Sequence, residues 1–269
     1  MINSYQKITI VGAGNVAWHL APALEKAGCS VVQVYGRQSE KARALASQLK
    51  QTQVKTDLDF SDSSAHLFIL AVSDDAIAEV ARQIKLSEES AVVHTSGGQP
   101  MDTLTAAPTQ QIGVFYPLQT FSKQRAVHFK TIPICVEANN KELLDELTKL
   151  AQKISNQVQA INSQQRAVLH VAAVFANNFT NHLLRMAEQL LHDRQLDSTL
   201  LHPLIQETIS KSLEISPAQS QTGPAWRNDQ KTITHHLDYL QAYDPSYAEV
   251  YRALTGHIQS LFTDKFGTD

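Results

Sequence analysis

The sequence predicts an α/β chain: a doubly wound, mainly parallel sheet of the Rossmann type, followed by a smaller all-α domain. Three observations carry this expectation. Short apolar runs alternate with helix-length amphipathic runs through residues 1–161. From residue 162 to residue 269 long helical patterns replace them. A glycine-rich turn joins the first strand to the first helix, as in sheets that bind dinucleotides.

The elements follow in order. "KITIV" (7–11) is a short apolar strand, and "NVAWHLAPALEKAG" (15–28) has helical periodicity and stops at Gly28. "SVVQVYG" (30–36) is a strand, "SEKARALASQL" (39–49) a helix and "AHLFILAV" (65–72) a strand buried on both faces. "DAIAEVARQI" (75–84) is helical, and "SAVVHTS" (90–96) is the next strand. "QIGVFYPL" (111–118), "TIPICVEA" (131–138) and "NQVQAI" (156–161) extend the sheet. Helices are expected over 163–192, 199–215, 229–242 and 246–263, with Pro203, "TGP" (222–224) and "DPS" (244–246) in the connections.

Bulk properties narrow the function classes. The 269 residues suffice for two domains with real cores. The 23 Lys and Arg against 26 Asp and Glu leave a net charge of -3 without a basic block, which argues against a nucleic-acid surface. No apolar run approaches the ~20 residues that a membrane helix needs. "MINSYQKITIVGAG" runs straight into a strand without a signal peptide, and Cys29 and Cys135 form no metal or redox motif. A cytoplasmic protein with two buried thiols is the expectation.

"ITIVGAGNVAWHLA" sets Gly12, Gly14 and Ala17 in a G-x-G-x-x-A pattern between strand and helix. Gly12 permits the tight turn, Gly14 lets a pyrophosphate approach, and Ala17 lets the helix pack close to the strand. The helix start at Asn15 and Val16 offers unpaired N–H groups and a partial positive charge. The second strand of such folds commonly ends in an acid that binds the ribose hydroxyls of NAD. Here "VYGRQSEK" puts Arg37 there, with Ser39 and Lys41 beyond. A guanidinium, a hydroxyl and an ammonium suit a 2′-phosphate, so NADP is expected over NAD. Val72 and Ser73 of "AVSDDAI" should lie beside the ribose, with Asp74 or Asp75 capping the next helix. "HTSGG" ends the following strand and places His94, Ser96 and Gly97 near the nicotinamide.

The long helix, "SQQRAVLHVAAVFANNFTNHLLRMAEQLL" (163–191), is apolar almost all round from Ala167 to Phe179 and is expected to be buried. His170, Asn177 and Asn181 recur on one face of an ideal helix, either as an active-site face or as a satisfied polar network between helices or subunits. Arg227, after the Thr222-Gly223-Pro224 turn, could anchor a carboxylate or phosphate or pair with an acid of its own domain. Asp229 should cap the helix that carries His235 and His236.

The glycine turn, "AVSDDAI", "VHTSGG", "FYPLQTF" (115–121), "HVAAVFANNF" (170–179) and "TGPAWRND" (222–229), in that order, resemble the Rossmann-like proteins with an added DUF2520 domain, in the 6-phosphogluconate dehydrogenase-like superfamily. The resemblance covers nearly the whole chain. It implies an NADP oxidoreductase, sometimes F420-dependent, that dimerises through the helical domain. Two departures stand out. Close relatives carry His-Pro-Leu-Gln where this chain has Tyr116-Pro117-Leu118-Gln119, and Arg-Gly-Asp where it has Arg227-Asn228-Asp229. Ser96, Gly97 and Gly98 match a Ser-Gly-Gly that holds substrate in the related 3-hydroxyacid dehydrogenases, but the catalytic lysine of those enzymes is missing from the long helix. The expectation is an NADP(H)-dependent dehydrogenase or reductase of a small carbonyl, imine or hydroxyacid, acting as a homodimer. His94 or His170 is its general acid/base, and Ser96, Asn177, Tyr116 and Arg227 orient or anchor the substrate. A non-catalytic dinucleotide sensor and an F420-dependent NADP oxidoreductase are the alternatives.

Overall fold

The computed structural model describes residues 6–262 and divides into two compact units, 1–178 and 179–269. The first unit is built on one eight-stranded sheet. Its strands are β1 (Lys7–Val11), β2 (Ser30–Tyr35), β3 (Gln53–Lys55), β4 (Leu67–Leu70), β5 (Ala91–His94), β6 (Gln111–Pro117), β7 (Ile134–Ala138) and β8 (Val158–Ala160). They lie in the order β3-β2-β1-β4-β5-β6-β7-β8. All neighbours are parallel except β6 and β7, where Tyr116 pairs with Cys135 across an antiparallel step. The chain leaves β1 in one direction to β2 and β3 and returns to β4 on the other side, so a crevice opens beyond the carboxyl ends of β1 and β4.

Strand alternation builds a core on each face. Ile8, Ile10, Leu67, Ile69, Ala91 and Val93 meet helices α1 (Asn15–Lys26), α2 (Ser39–Ala46) and α4 (Lys141–Ile154). Phe68, Leu70 and Val92 meet α3 (Asp74–Gln83) through Ile77, Val80 and Ala81. β4 and β5 are buried at every position, because helices cover both faces. Helix starts are set by side chains: Asn140 accepts the Leu143 N–H to cap α4. Asn162 and Gln165 form a reciprocal capping box at α5 (Ser163–Ala173).

The sequence places a domain boundary at residue 161, whereas compactness divides the chain after Asn178. The physical reason lies in α5, whose first turn is anchored in the first unit through the buried Arg166. The long helix continues through a π-helical turn, Val174–Phe179, into α6 (Thr180–His192). Its expected burial is overturned: Val168 is 72% exposed and Val171 58%. Asn177 and Asn181 are exposed as well. A π turn bonds i to i+5 and rotates everything beyond it relative to an ideal helix, so a 3.6-residue period no longer aligns His170 with Asn177.

The second unit adds α7 (His202–Ile215), the single turn α8 (Pro217–Ser220), α9 (Gln230–Tyr243) and α10 (Pro245–Phe262). Asp229 caps α9 as expected, accepting the Thr232 N–H at 3.1 Å and the Thr232 hydroxyl at 2.7 Å. Its helices leave Leu200, Leu204 and Leu213 at 68%, 62% and 84% exposure. No helix among the described residues is long and apolar enough to cross a membrane.

Candidate functional site

The crevice at the strand ends contains a cleft of about 460 Å³ lined by Gly12, Gly14, Arg37, Lys41, Val72 and Ser73, among others. Six of the expected cofactor residues therefore share one wall-to-wall space. Gly12 has φ +124°, and a Cβ there would sit 2.3 Å from the Ala71 carbonyl oxygen. Only glycine meets both conditions. Gly14 opens α1 without a side-chain cap, and no acid occupies the first turn. The first N–H groups of α1 have no intrahelical partners, and the helix dipole adds positive character there. Ala17 is fully buried, which brings α1 close to the sheet.

Asn15 and Val16 contribute differently from the expectation. The Asn15 amide donates to the Phe121 carbonyl at 3.0 Å, which ties the 119–123 loop to α1. Val16 packs into the core. Only their backbone N–H groups remain for a ligand. Arg37 and Lys41 are exposed at the end of β2 and the start of α2, and Ser39 is half-buried beside them. Among the described residues neither cation forms an ion pair, with Glu40 or any other acid. Glu79 and Gln83, bonded to each other at 3.0 Å, line the same cleft.

Next along the crevice lies the "HTSGG" loop. His94 is fully buried at the end of β5. Its Nδ1 accepts the Ser96 N–H at 3.1 Å, and its Nε2 lies 3.3 Å from the Pro100 carbonyl. These contacts define a neutral ring that donates from Nε2 and accepts at Nδ1. Burial is the main cause that holds its pKa down at about 4; the Arg166 charge acts in the same direction and the Pro100 bond opposes it. Ser96 is also turned inward: its Oγ accepts the Gly98 N–H at 3.1 Å and the Gln99 N–H at 3.0 Å. The Gly98 N–H is thus spent inside the loop rather than presented to a ligand.

The groups that do converge are Tyr116 and His170. The Tyr116 hydroxyl lies 3.4 Å from His170 Nδ1, and the rings meet edge to face with centroids 6.3 Å apart. Gly97 fits against both, since a Cβ there would lie 2.6 Å from His170 Nδ1 and 2.8 Å from the Tyr116 hydroxyl. Over Gly98, a Cβ would meet Asp74 Oδ2 at 3.5 Å and His170 Nε2 at 3.9 Å. Burial pushes the Tyr116 phenol up, with Cys135 and Asp74 adding to it and the Arg166 charge opposing. A phenol held neutral can donate to His170 Nδ1 or accept from it, according to the tautomer of the ring.

Three participants were missed by sequence reasoning. Asp74 is the first residue of α3 but makes no capping bond; its carboxylate faces Gly98 instead. Arg166 and Glu137 form a buried ion pair beneath the loop. Arg166 gave no distinct signal, because it follows Ser163, Gln164 and Gln165 in the polar first turn of the helix. Arg227 lies in the second unit, exposed, with its N–H 3.2 Å from the Gly223 carbonyl. No group of three or more potential metal ligands occurs among the described residues.

Sheet order, glycine turn and crevice together define the Rossmann class, here followed by a helical domain. Residues 2–119 match the model of the Rossmann-like domain, and residues 132–258 match that of the domain of unknown function DUF2520. The crystal structure of a Bacteroides fragilis protein described as a "putative NADP oxidoreductase" is 41% identical, with a TM-score of 0.87, 96% of this chain covered and 99% of that one. The chain belongs to this family of Rossmann-like proteins with a DUF2520 domain. Protein TM1727 of Thermotoga maritima shares the fold at 20% identity and a TM-score of 0.73, over 94% of this chain and 99% of that one. So does a reductive aminase of Aspergillus terreus, solved with NADPH and ethyl levulinate, at 14% identity and a TM-score of 0.71 over 97% and 94%. No protein of curated function matches the chain in sequence.

Proposed function

We propose that the protein is an NADP(H)-dependent oxidoreductase that transfers a hydride to or from a small carbonyl, imine or hydroxyacid. One observation carries the reading. A glycine cradle and a cationic strand end line one cleft that reaches Ser73, and the next residue, Asp74, faces Gly98 beside the Tyr116–His170 pair set against Gly97. The residues present fit the cofactor. Gly12 and Gly14 with the α1 N-terminus suit a pyrophosphate, and Arg37, Ser39 and Lys41 suit a 2′-phosphate. Val72 and Ser73 line the same cleft and would flank the ribose. The 41% identical Bacteroides fragilis relative is described as a "putative NADP oxidoreductase".

The nicotinamide, when bound, supplies the hydride. The chain's own task is one proton. In this reading Tyr116, kept neutral by burial, donates to His170 Nδ1, which favours the tautomer that carries the proton on Nε2. Nε2 is the ring nitrogen that borders the space over Gly98, opposite Asp74. His170 is therefore the general acid/base, with Tyr116 orienting it and Asp74 facing the same substrate space. The missing lysine of related dehydrogenases is replaced by this pair. His94 and Ser96 shape the loop rather than move the proton, because their polar atoms are used within it. The exposed Asn177 is assigned to substrate anchoring rather than to chemistry.

The helical unit serves homodimerisation in the same reading. Leu200, Leu204 and Leu213 leave a large apolar surface uncovered on and beside α7. Charge substitutions at Leu204 and Leu213 should shift the molar mass in solution to that of one chain. The two free, buried thiols suit a reducing cytoplasm.

NADPH titration followed by single-turnover hydride transfer across carbonyl and imine substrates tests the assignment. His170→Ala should leave NADPH affinity within about twofold and slow transfer by about 10²–10⁴-fold. Binding of NADPH without oxidation of any substrate would favour a sensor instead.

A further inference from the structure

We propose that the buried Arg166–Glu137 pair is a positioning device that fixes the Gly97–Met101 loop at its working distance from His170. The inference rests on the reading of His170 and Gly97 as the reactive end of the crevice. Arg166 is only 1% exposed, the bulkiest fully buried side chain among the described residues. It stands four residues before His170 on α5, so both project from one face of the helix. Its Nη1 pairs with Glu137 of β7. Its Nη2 donates to the Gln99 carbonyl at 2.6 Å and to Ser163 Oγ at 3.2 Å. Glu137 also accepts the Ser163 N–H at 2.9 Å and its hydroxyl. Ser163 Oγ in turn accepts the Met101 N–H at 3.0 Å.

Two backbone groups of the loop, the Gln99 carbonyl and the Met101 N–H, are thus held from α5. The other end of the loop is held from β5, where His94 binds Ser96 and Pro100. Gly97 sits between these anchors. A guanidinium with several donors in one plane can serve Glu137 and Gln99 together; an ammonium cannot match both directions. Arg166 Nε remains buried without a partner. That orphan donor costs stability, as expected where an arginine is held for what it positions rather than for folding alone.

The test separates position from stability. Arg166→Lys keeps the charge beside Glu137 but loses the fork. The double change R166M/E137L removes both charges, which restores stability when a buried pair is replaced by apolar groups. Both variants are compared with the wild type by thermal unfolding, hydrogen exchange of the residue 97–101 amides, NADPH affinity, and kcat and KM separately. The expected result is exchange of the loop amides at least tenfold faster at near wild-type Tm. NADPH affinity should be unchanged, and turnover at least tenfold lower. Wild-type exchange of the loop in a folded R166M/E137L or R166K protein would overturn the proposal. If the double variant does not fold, R166K decides by the same measurements. Loop exchange is read without any substrate. Failure of the NADPH reading, seen as no NADPH binding to the wild type, is therefore distinguishable from failure of the latch.

Discussion

Gly97→Ala is the sharpest probe of the site. Gly97 is not among the residues with positive φ, so alanine suits its backbone and the effect is steric. The added Cβ would lie 2.6 Å from His170 Nδ1 and 2.7 Å from Tyr116 Cζ, where ordinary contact begins at 3.4 Å. One ring or the loop must therefore move by about 0.7–0.8 Å, the differences between those distances. Overpacking of this kind costs about 1–3 kcal/mol. A displacement of about 1 Å at reacting groups costs on the order of 100-fold in rate. The expected variant is folded, with Tm lower by several degrees, NADPH affinity within about twofold and hydride transfer slowed about 100-fold. Gly98→Ala is the matched control for stability alone, since its Cβ would meet Asp74 and His170 only at 3.5 Å or beyond but would enter the space assigned to the substrate. It should keep or slightly raise stability. Thermal unfolding, fluorescence titration with NADPH and single-turnover absorbance measure the three quantities. Wild-type transfer in the Gly97→Ala protein would refute the reasoning, as would a loss of NADPH binding in step with the rate.

Other outcomes follow from the same geometry. Gly12→Ala forces both a φ of +124° and a 2.3 Å approach to Ala71 on a side chain; stability should fall by more than about 2 kcal/mol, with no NADPH binding by titration. Replacing Arg37 and Lys41 together by Ala should cut the preference for NADPH over NADH by roughly tenfold or more, the worth of lost charge-assisted hydrogen bonds; an unchanged ratio of the two affinities would remove these residues from 2′-phosphate recognition. His94 has its folded-state pKa depressed from 6.5 to about 4. The unfolded chain then binds the proton more readily. The associated stability is present above pH 6.5 and is lost as pH falls towards 4, on the order of 3 kcal/mol in total. Denaturant titrations across that window should show this slope in the wild type and a smaller one in His94→Gln.

The fold was largely legible because its signals are local. The apolar runs of β1, β4 and β5 and the glycine turn each announce themselves in the chain. The three-residue β3 went unread, because "QVK" is too short to show a period. The antiparallel turn into β7 was also unread, since strand direction is a property of the pairing and not of the segment. Within the site, "HTSGG" pointed to the end of β5, while the sequence left His94 and His170 open as the proton carrier. Both His94 and His170 suit proton transfer by type. Only burial and the use of both His94 nitrogens separate them. The His170–Asn177 stripe failed for a specific reason, the π turn that interrupts the helical period.

The register of the sheet puts Leu70, His94, Val114 and Glu137 side by side on four neighbouring strands. Two of these four carry the loop, one through imidazole and one through a carboxylate. Tyr116 and His170 stand above that row and are not needed to hold it. The chain thus separates a buried foundation from a working surface above it. An evolving lineage, or an engineer, can exchange the ring at position 116 and sample new chemistry without re-inventing the support beneath.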